Sequence, residues 1–210
     1  MEVEVIFLKQ FEVGSFMSNC YIIGCEETSE AAVIDPGAEP EAILSELGKN
    51  NLKLKYIINT HGHVDHIGAN AEVKKSIEAP ILIHKEDAGL LEDPQGNLSM
   101  YVGGKLTLPP AEQLLEEGDE ISIGNIKLKV IHTPGHTQGG ISLKADNEVF
   151  TGDSLFAGSI GRTDLPGGNH GQLIKSIKEK LLPLGDDVIV YPGHGPASSI
   201  GKEKKMNPFL

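Results

Sequence analysis

"YIINTHGHVDHIGAN", residues 56 to 70, leaves an apolar, β-branched stretch and enters three histidines and an aspartate within six positions: His61, His63, Asp65 and His66. Leu54–Asn59 has the spelling of a buried strand. Gly62 argues against a helix through the cluster, and "GANAEVKKSI" resumes a helical pattern. In an extended chain residues two apart face the same way, so His61 and His63 can grip one ion together. Asp65 and His66, where the chain turns into the helix, can face a second. Imidazole and carboxylate suit zinc, iron or manganese. A polar loop that only satisfied its own backbone would not need four such side chains.

The same arrangement, an apolar strand ending in glycine or proline and then a donor, recurs along the chain. "LKVIHTPGHT" supplies His136, "VFTGDS" supplies Asp153 and "VIVYPGHG" supplies His194. Strand ends are rigid and the loops beyond them adaptable, which is where sites are built. Asp153 is the natural bridge between two ions, because a carboxylate has two oxygens.

Strands are expected at Val3–Leu8, Asn19–Ile23 and Ala31–Ile34. Pro40 opens a helix whose stripe is Ile43, Leu44 and Leu47, with Gly48 as its stop. "APILIH" reads as a strand, "KEDAGLLE" as a helix, and residues 93–110, rich in Gly and Pro, as a long loop. The second half repeats the scheme with strands at Glu120–Ile123, Lys127–His132, Ile141–Lys144 and Glu148–Thr151. A helix follows over Gln172–Leu182, carrying Leu173, Ile177 and Leu181, and a last strand over Asp187–Pro192. "GKEKK" at 201–205 reads as a surface tail. Two such halves can bury their sheets against each other, predicting a four-layer αββα sandwich of class α/β, one domain spanning residues 1–210.

Charge and composition narrow the function. The 210 residues include 39% apolar and 23% charged side chains, ordinary for a globular protein, and 18 Lys+Arg against 30 Asp+Glu make the net charge −12. An acidic chain repels phosphate backbones, so a small-molecule substrate is expected rather than nucleic acid. No apolar run is long enough to span a membrane, and the acidic, alternating start "MEVEVIFLKQ" is unlike a secretory leader. Cys20 and Cys25 lack a CxxC pattern and read as reduced thiols, so a cytoplasmic location is expected.

Other residues carry two readings each. Arg162, in "GRTD", can pair with a substrate carboxylate or with its neighbour Asp164. Tyr101 can line a pocket or stand exposed in its loop, and His170 can touch substrate or be an ordinary loop histidine. His132 and His84 end strands and read as buried or as supports behind the donors. Asn19 reads as a turn cap.

"THGHVDH", "PGHT", "GDSLF" and "PGHG", in this order and spacing, resemble the metallo-β-lactamase superfamily. Within it, "GSIGRTDLPGG" and the closing "NPFL" are similar to the short bacterial glyoxalase II-like (hydroxyacylglutathione hydrolase-like) enzymes, and the resemblance covers essentially the whole chain. It implies an αββα fold and a hydrolase with two divalent metal ions, zinc first, with iron or manganese as alternatives. His61, His63 and His136 would bind the first ion, and Asp65, His66 and His194 the second. Asp153 and a water or hydroxide would bridge them. Asp35 in "VIDPG" matches an outer carboxylate that orients ligating histidines. Full-length glyoxalase II carries a further C-terminal helical region that contacts glutathione, and this chain ends soon after "PGHG".

Two ions can bring the pKa of water toward about 7 and polarise a carbonyl, with Asp65 and Asp153 as the catalytic carboxylates. A thiolate leaves readily because a thiol has a pKa of about 8.5, whereas an amine must be protonated, and no free acid stands beside the donors except Asp65. The expected reaction is therefore hydrolysis of a thiolester such as S-lactoylglutathione. The alternative is a persulfide dioxygenase-like oxidoreductase, which would hold one iron on His61, His136 and Asp153. A protein that binds metal without turnover is the third reading.

Overall fold

The computed structural model describes residues 6–210. Its frame follows from where apolar side chains fall on each strand. β2 (Ser18–Cys25) is buried along its whole length, and alternation sends Tyr21, Ile23 and Cys25 to one face and Cys20 and Ile22 to the other. A strand apolar on both faces must be covered on both. On one side lies a second sheet, and on the other lie helices.

The first sheet is ordered β1 (Ile6–Val13), β2, β3 (Glu30–Ile34), β4 (Lys53–Ile58), β5 (Ile81–His84), β6 (Gln113–Leu115), antiparallel through β3 and parallel from β3 to β6. The second sheet comprises β7 (Glu120–Ile123), β8 (Ile126–His132), β9 (Ile141–Ala145), β10 (Glu148–Gly152), β13 (Ile189–Pro192) and β14 (Ser198–Ser199), with β10 and β13 parallel. A small hairpin, β11 (Leu155–Phe156) and β12 (Ser159–Ile160), stands apart.

Ile34, Ile58 and Leu82 of the first sheet meet Leu128, Leu143 and Phe150 of the second. Helices α1 (Pro40–Lys49) and α3 (Asn70–Ile77) bury Ile43, Leu47 and Val73 on the outer face of the first sheet. Leu173 of α4 (His170–Ser176), Ile177 and Leu181 of the wider turn that continues it, and Ile200 of α5 (Ile200–Met206) cover Val149 and Val190 on the second. The result is the expected four-layer α/β sandwich.

Several local expectations change. Val3–Val5 of the first strand lie outside the described residues, and the strand runs on to Val13. "KEDAGLLE" forms only a short 3-10 turn, Ala88–Leu91. Its Asp87 side chain accepts backbone N–H groups from two distant loops, and Pro94 follows closely. The 93–110 loop holds a further 3-10 turn, Ser99–Val102. "GKEKK" is not a loose tail. It lies in α5, capped by the Ser199 side chain and anchored by buried Glu203, which accepts from the Gly158 N–H and the Asn207 side chain. Cys20 and Cys25 are free thiols on opposite faces of β2.

Phe150 is fully buried between the sheets, its ring 5.1 Å from that of Tyr21. Phe150→Ala should lower the unfolding free energy by about 3–5 kcal/mol, read by urea denaturation. A loss under about 1 kcal/mol would show that the sheets close over the cavity.

Candidate metal centre

Four strands deliver the donors to one edge of the sandwich. β4 leads through Asn59 and Thr60 to His61 and His63, and the single turn α2 (Val64–Ile67) carries Asp65 and His66. His136 follows β8, Asp153 follows β10 and His194 follows β13. One group brings together His61, His63 and His136, and another Asp65, His66 and His194, with the donor atoms of each within 4.8 Å of one another. Asp153 lies between them: its Oδ2 is 3.6 Å from Nε2 of both His136 and His194, and its Oδ1 is 3.5 Å from Nε2 of His66. All seven residues singled out in the sequence as donors therefore converge, from both halves of the chain.

The chemistry of this cluster calls for cations. His63 Nδ1 faces His136 Nε2 at 2.9 Å, and His66 Nε2 faces His194 Nε2 at 3.3 Å. Nitrogen lone pairs so close repel unless a proton or a metal ion separates them. His61 Nε2 and Asp153 Oδ1 are buried without a hydrogen-bond partner, as is His63 Nε2 on the far side of its ring, and buried polar atoms are rarely left so. Burial, with the neighbouring His66, His63 and His136, holds His61 neutral, and burial with His136 and His66 brings His63 down to about 3. Neutral imidazole is the ligating form. Burial opposes charge on His66, but Asp65, Asp153 and Asp35 outweigh it and raise it to about 10. The donor set therefore suits divalent metals.

Residues outside the donor set hold the loops in place. Asp35 is buried at a left-handed φ of 52°, a conformation that costs a non-glycine residue about 1 kcal/mol or more. Its carboxylate accepts from Thr60 N at 2.7 Å and Thr60 Oγ1 at 2.6 Å, and lies 3.0 Å from His66 Nδ1, leaving Nε2 for the cluster. The Arg162 carbonyl does the same for His136, 2.7 Å from its Nδ1. Asp87, 1% exposed, accepts from Gly62 N at 3.1 Å and Gly139 N at 2.6 Å, tying the His61–His63 segment to the His136 loop. Asn19 is not a turn cap. Its amide donates to Pro192 O and Gly195 O at 2.9 and 2.8 Å, and the Tyr21 hydroxyl donates to Pro192 O at 2.6 Å, so β2 positions the His194 loop. Asp87 was invisible in the sequence because its partners are backbone groups 25 and 52 positions away. Gly193 has no room for a side chain: a Cβ there would collide with Asp153 Oδ1 and lie 2.9 Å from His66 Cε1.

The remaining candidates divide. Arg162 and Asp164 form a bidentate pair, with both contacts at 2.8 Å, on the surface. Arg162 also lines a cleft of about 400 Å³ with Asp65 and Tyr101. Asp164 and His170 do not line it, and His170 is exposed at the start of α4. His84 and His132 stack at 4.0 Å, away from the donors, with His132 Nε2 2.9 Å from Gln138 O.

Among the described residues no helix is long and apolar enough to cross a membrane. Residues 13–194 match the metallo-beta-lactamase superfamily. A curated relative, the hydroxyacylglutathione hydrolase GloC of Haemophilus influenzae, is 38% identical over 218 residues, covering 100% of this chain and 98% of its own. The solved BLEG-1 B3 metallo-beta-lactamase superimposes with a TM-score of 0.92 at 40% identity, covering 97% of this chain and 99% of its own. TTHA1623, solved in a di-iron-bound form, gives 0.84 at 35% identity over 96% and 100%. With its sandwich, its donor cluster and this similarity along nearly its whole length, the chain belongs to the metallo-beta-lactamase superfamily of hydrolases.

Proposed function

We propose that the protein is a thiolester hydrolase, glyoxalase II-like, acting on a small substrate of the S-lactoylglutathione kind with two divalent ions, zinc first. The observation that carries the reading is Asp153, whose two oxygens reach toward both donor groups at once. His61, His63 and His136 would hold one ion, Asp65, His66 and His194 the other, and Asp153 both. When bound, such a pair supplies Lewis acidity and a water acidic enough to ionise near neutral pH.

The chain's own groups do the rest. Asp35 and the Arg162 carbonyl keep His66 and His136 in one ring orientation. Asp65 sits on the cleft wall with Oδ2 3.2 Å from His194 Nε2. Burial opposes its ionisation, but His66 and His194 keep its carboxylate charged well below the usual range. It is therefore ionised at neutral pH, though the same lowering makes it a weak base. As a water oxygen bonds to the acyl carbon, the Asp65 carboxylate can take the water's proton. Breaking the carbon–sulfur bond then sends its electron pair to a thiolate that needs no acid. GloC, whose printed name is that of a hydroxyacylglutathione hydrolase, supports the same reaction class.

A second reading is kept open by one finding, the likeness to ETHE1 of Myxococcus xanthus, which superimposes with a TM-score of 0.81 at 31% identity. One iron on His61, His136 and Asp153 would make the chain a persulfide dioxygenase-like oxidoreductase. Elemental analysis of the protein as purified should find two ions per chain and S-lactoylglutathione hydrolysis. One iron with oxygen uptake on glutathione persulfide would transfer the case to the oxidoreductase. Asp153→Ala should lose metal and activity together, activity by on the order of 10²-fold or more, and a fully active variant would remove the bridging role. Asp87→Asn leaves one acceptor for two N–H groups, so metal affinity, measured by chelator competition, should fall about 10-fold while the fold persists. Chelation should lower the melting temperature, since ions at a thousandfold excess over their dissociation constant stabilise by about 4 kcal/mol.

A further inference from the structure

The cleft against Asp65 has walls unlike those of a site for a charged carrier. Phe16, Leu98, Tyr101, Val102, Leu165 and Pro166 line it, and the one cationic side chain among them, Arg162, is already paired through both contacts with Asp164. A second cavity of about 270 Å³ shares Phe16, Val64, Asp65 and Val102 with it. Phe16, Tyr101 and Val102 are 49%, 67% and 49% exposed, and Met17 and Met100 beside them are exposed too. Apolar side chains gathered in the open on two loops mark a surface with a partner.

The loop that presents three of them is built to hold still. Buried Asn97 donates to Leu90 O and Leu106 O, both at 3.0 Å, and accepts from Ser99 N at 3.0 Å. Its own carbonyl accepts from Val64 N at 2.9 Å, fastening the loop to the start of α2 beside Asp65. Leu98 is kept at a φ of 67°, a conformation costly for a branched residue and maintained only where the surroundings impose it. The fastening at Val64 keeps this rigid apolar wall beside the donor cluster.

We propose that the group bonded to the scissile carbonyl is apolar, a medium-length alkyl chain or an aromatic ring lying between Phe16 and the Tyr101–Val102 edge. This rests on the thiolester reading and departs from its S-lactoylglutathione model in the acyl group, an apolar chain taking the place of the short hydroxyacyl group, and in the carrier, an uncharged thiol taking the place of glutathione. The departing thiolate carries charge, which an apolar wall cannot stabilise, whereas the acyl chain is uncharged throughout. The net charge of −12 acts in the same direction, against polyanionic carriers.

The test pairs turnover with binding. Acyl thiolesters of one small neutral thiol, from acetyl to decanoyl and benzoyl, are assayed on the metal-loaded protein. Ketones in which methylene replaces the sulfur are titrated calorimetrically into both loaded and chelated protein. Each buried methylene should raise kcat/KM and ketone affinity about fourfold until the cleft is full. Val102→Glu and Phe16→Ser should abolish that slope without lowering the melting temperature, and Met206→Ser, exposed elsewhere, should leave it intact. Length-dependent ketone binding with no thiolester hydrolysed would retire the thiolester reading and uphold the apolar cleft. Ketone binding independent of length would overturn it. So would a flat series accompanied by adsorption to neutral vesicles or by a dimer sensitive to Val102→Glu, either of which would give the apolar loops another occupant.

Discussion

Five imidazoles and two carboxylates crowd the edge where the two sheets meet, four of the imidazoles buried, and the rest of the molecule answers to that crowding. Such groups need a proton or a cation between them: His63 Nδ1 and His136 Nε2 lie 2.9 Å apart, and Asp153 Oδ1 has no hydrogen-bond partner. Cations meet that need, since each lone pair becomes a bond and each negative charge is neutralised. Bound cations would therefore stabilise the site.

What keeps the donors from relaxing apart is a set of polar groups that touch no other part of the chemistry. Asp35, Asp87, Asn19 and Tyr21 each spend buried hydrogen bonds on backbone or ring atoms of the donor loops. Asp87 joins the His61–His63 and His136 loops, Asp35 ties β3 to the His66 segment, and Asn19 and Tyr21 tie β2 to the His194 loop. Asp35 accepts backbone strain to do so. The apolar sheet–sheet core beneath, with Phe150 at its centre, sets the height at which every loop emerges.

Beside this polar centre the fold places its opposite, a cleft walled by apolar side chains from two loops. The contrast divides the labour. On the proposed reading, charge would be confined to the reacting atoms, where desolvation strengthens it, and the wall would sort acyl groups by burial of hydrocarbon. Asp65 belongs to both, as a member of the donor group and of the cleft lining.

The amino-acid sequence by itself determined the layers and the donors. The stripe of α1 states which of its faces is buried, and HxHxDH with three later strand-end donors is a local pattern whose chemistry does not depend on neighbours. It could not disclose what those donors rest on. Asp87 sits in a segment spelled like a helix, and its contacts with Gly62 and Gly139, with Pro94 close behind, accompany its reduction to a turn. Asn19 looked like a local cap, although its partners lie more than 170 residues away. Arg162 acts on His136 through its carbonyl, an atom every residue possesses. Tertiary structure decided these matters because a hydrogen bond is a relation between two positions in space, and no residue type announces a partner that folding alone brings within 3 Å.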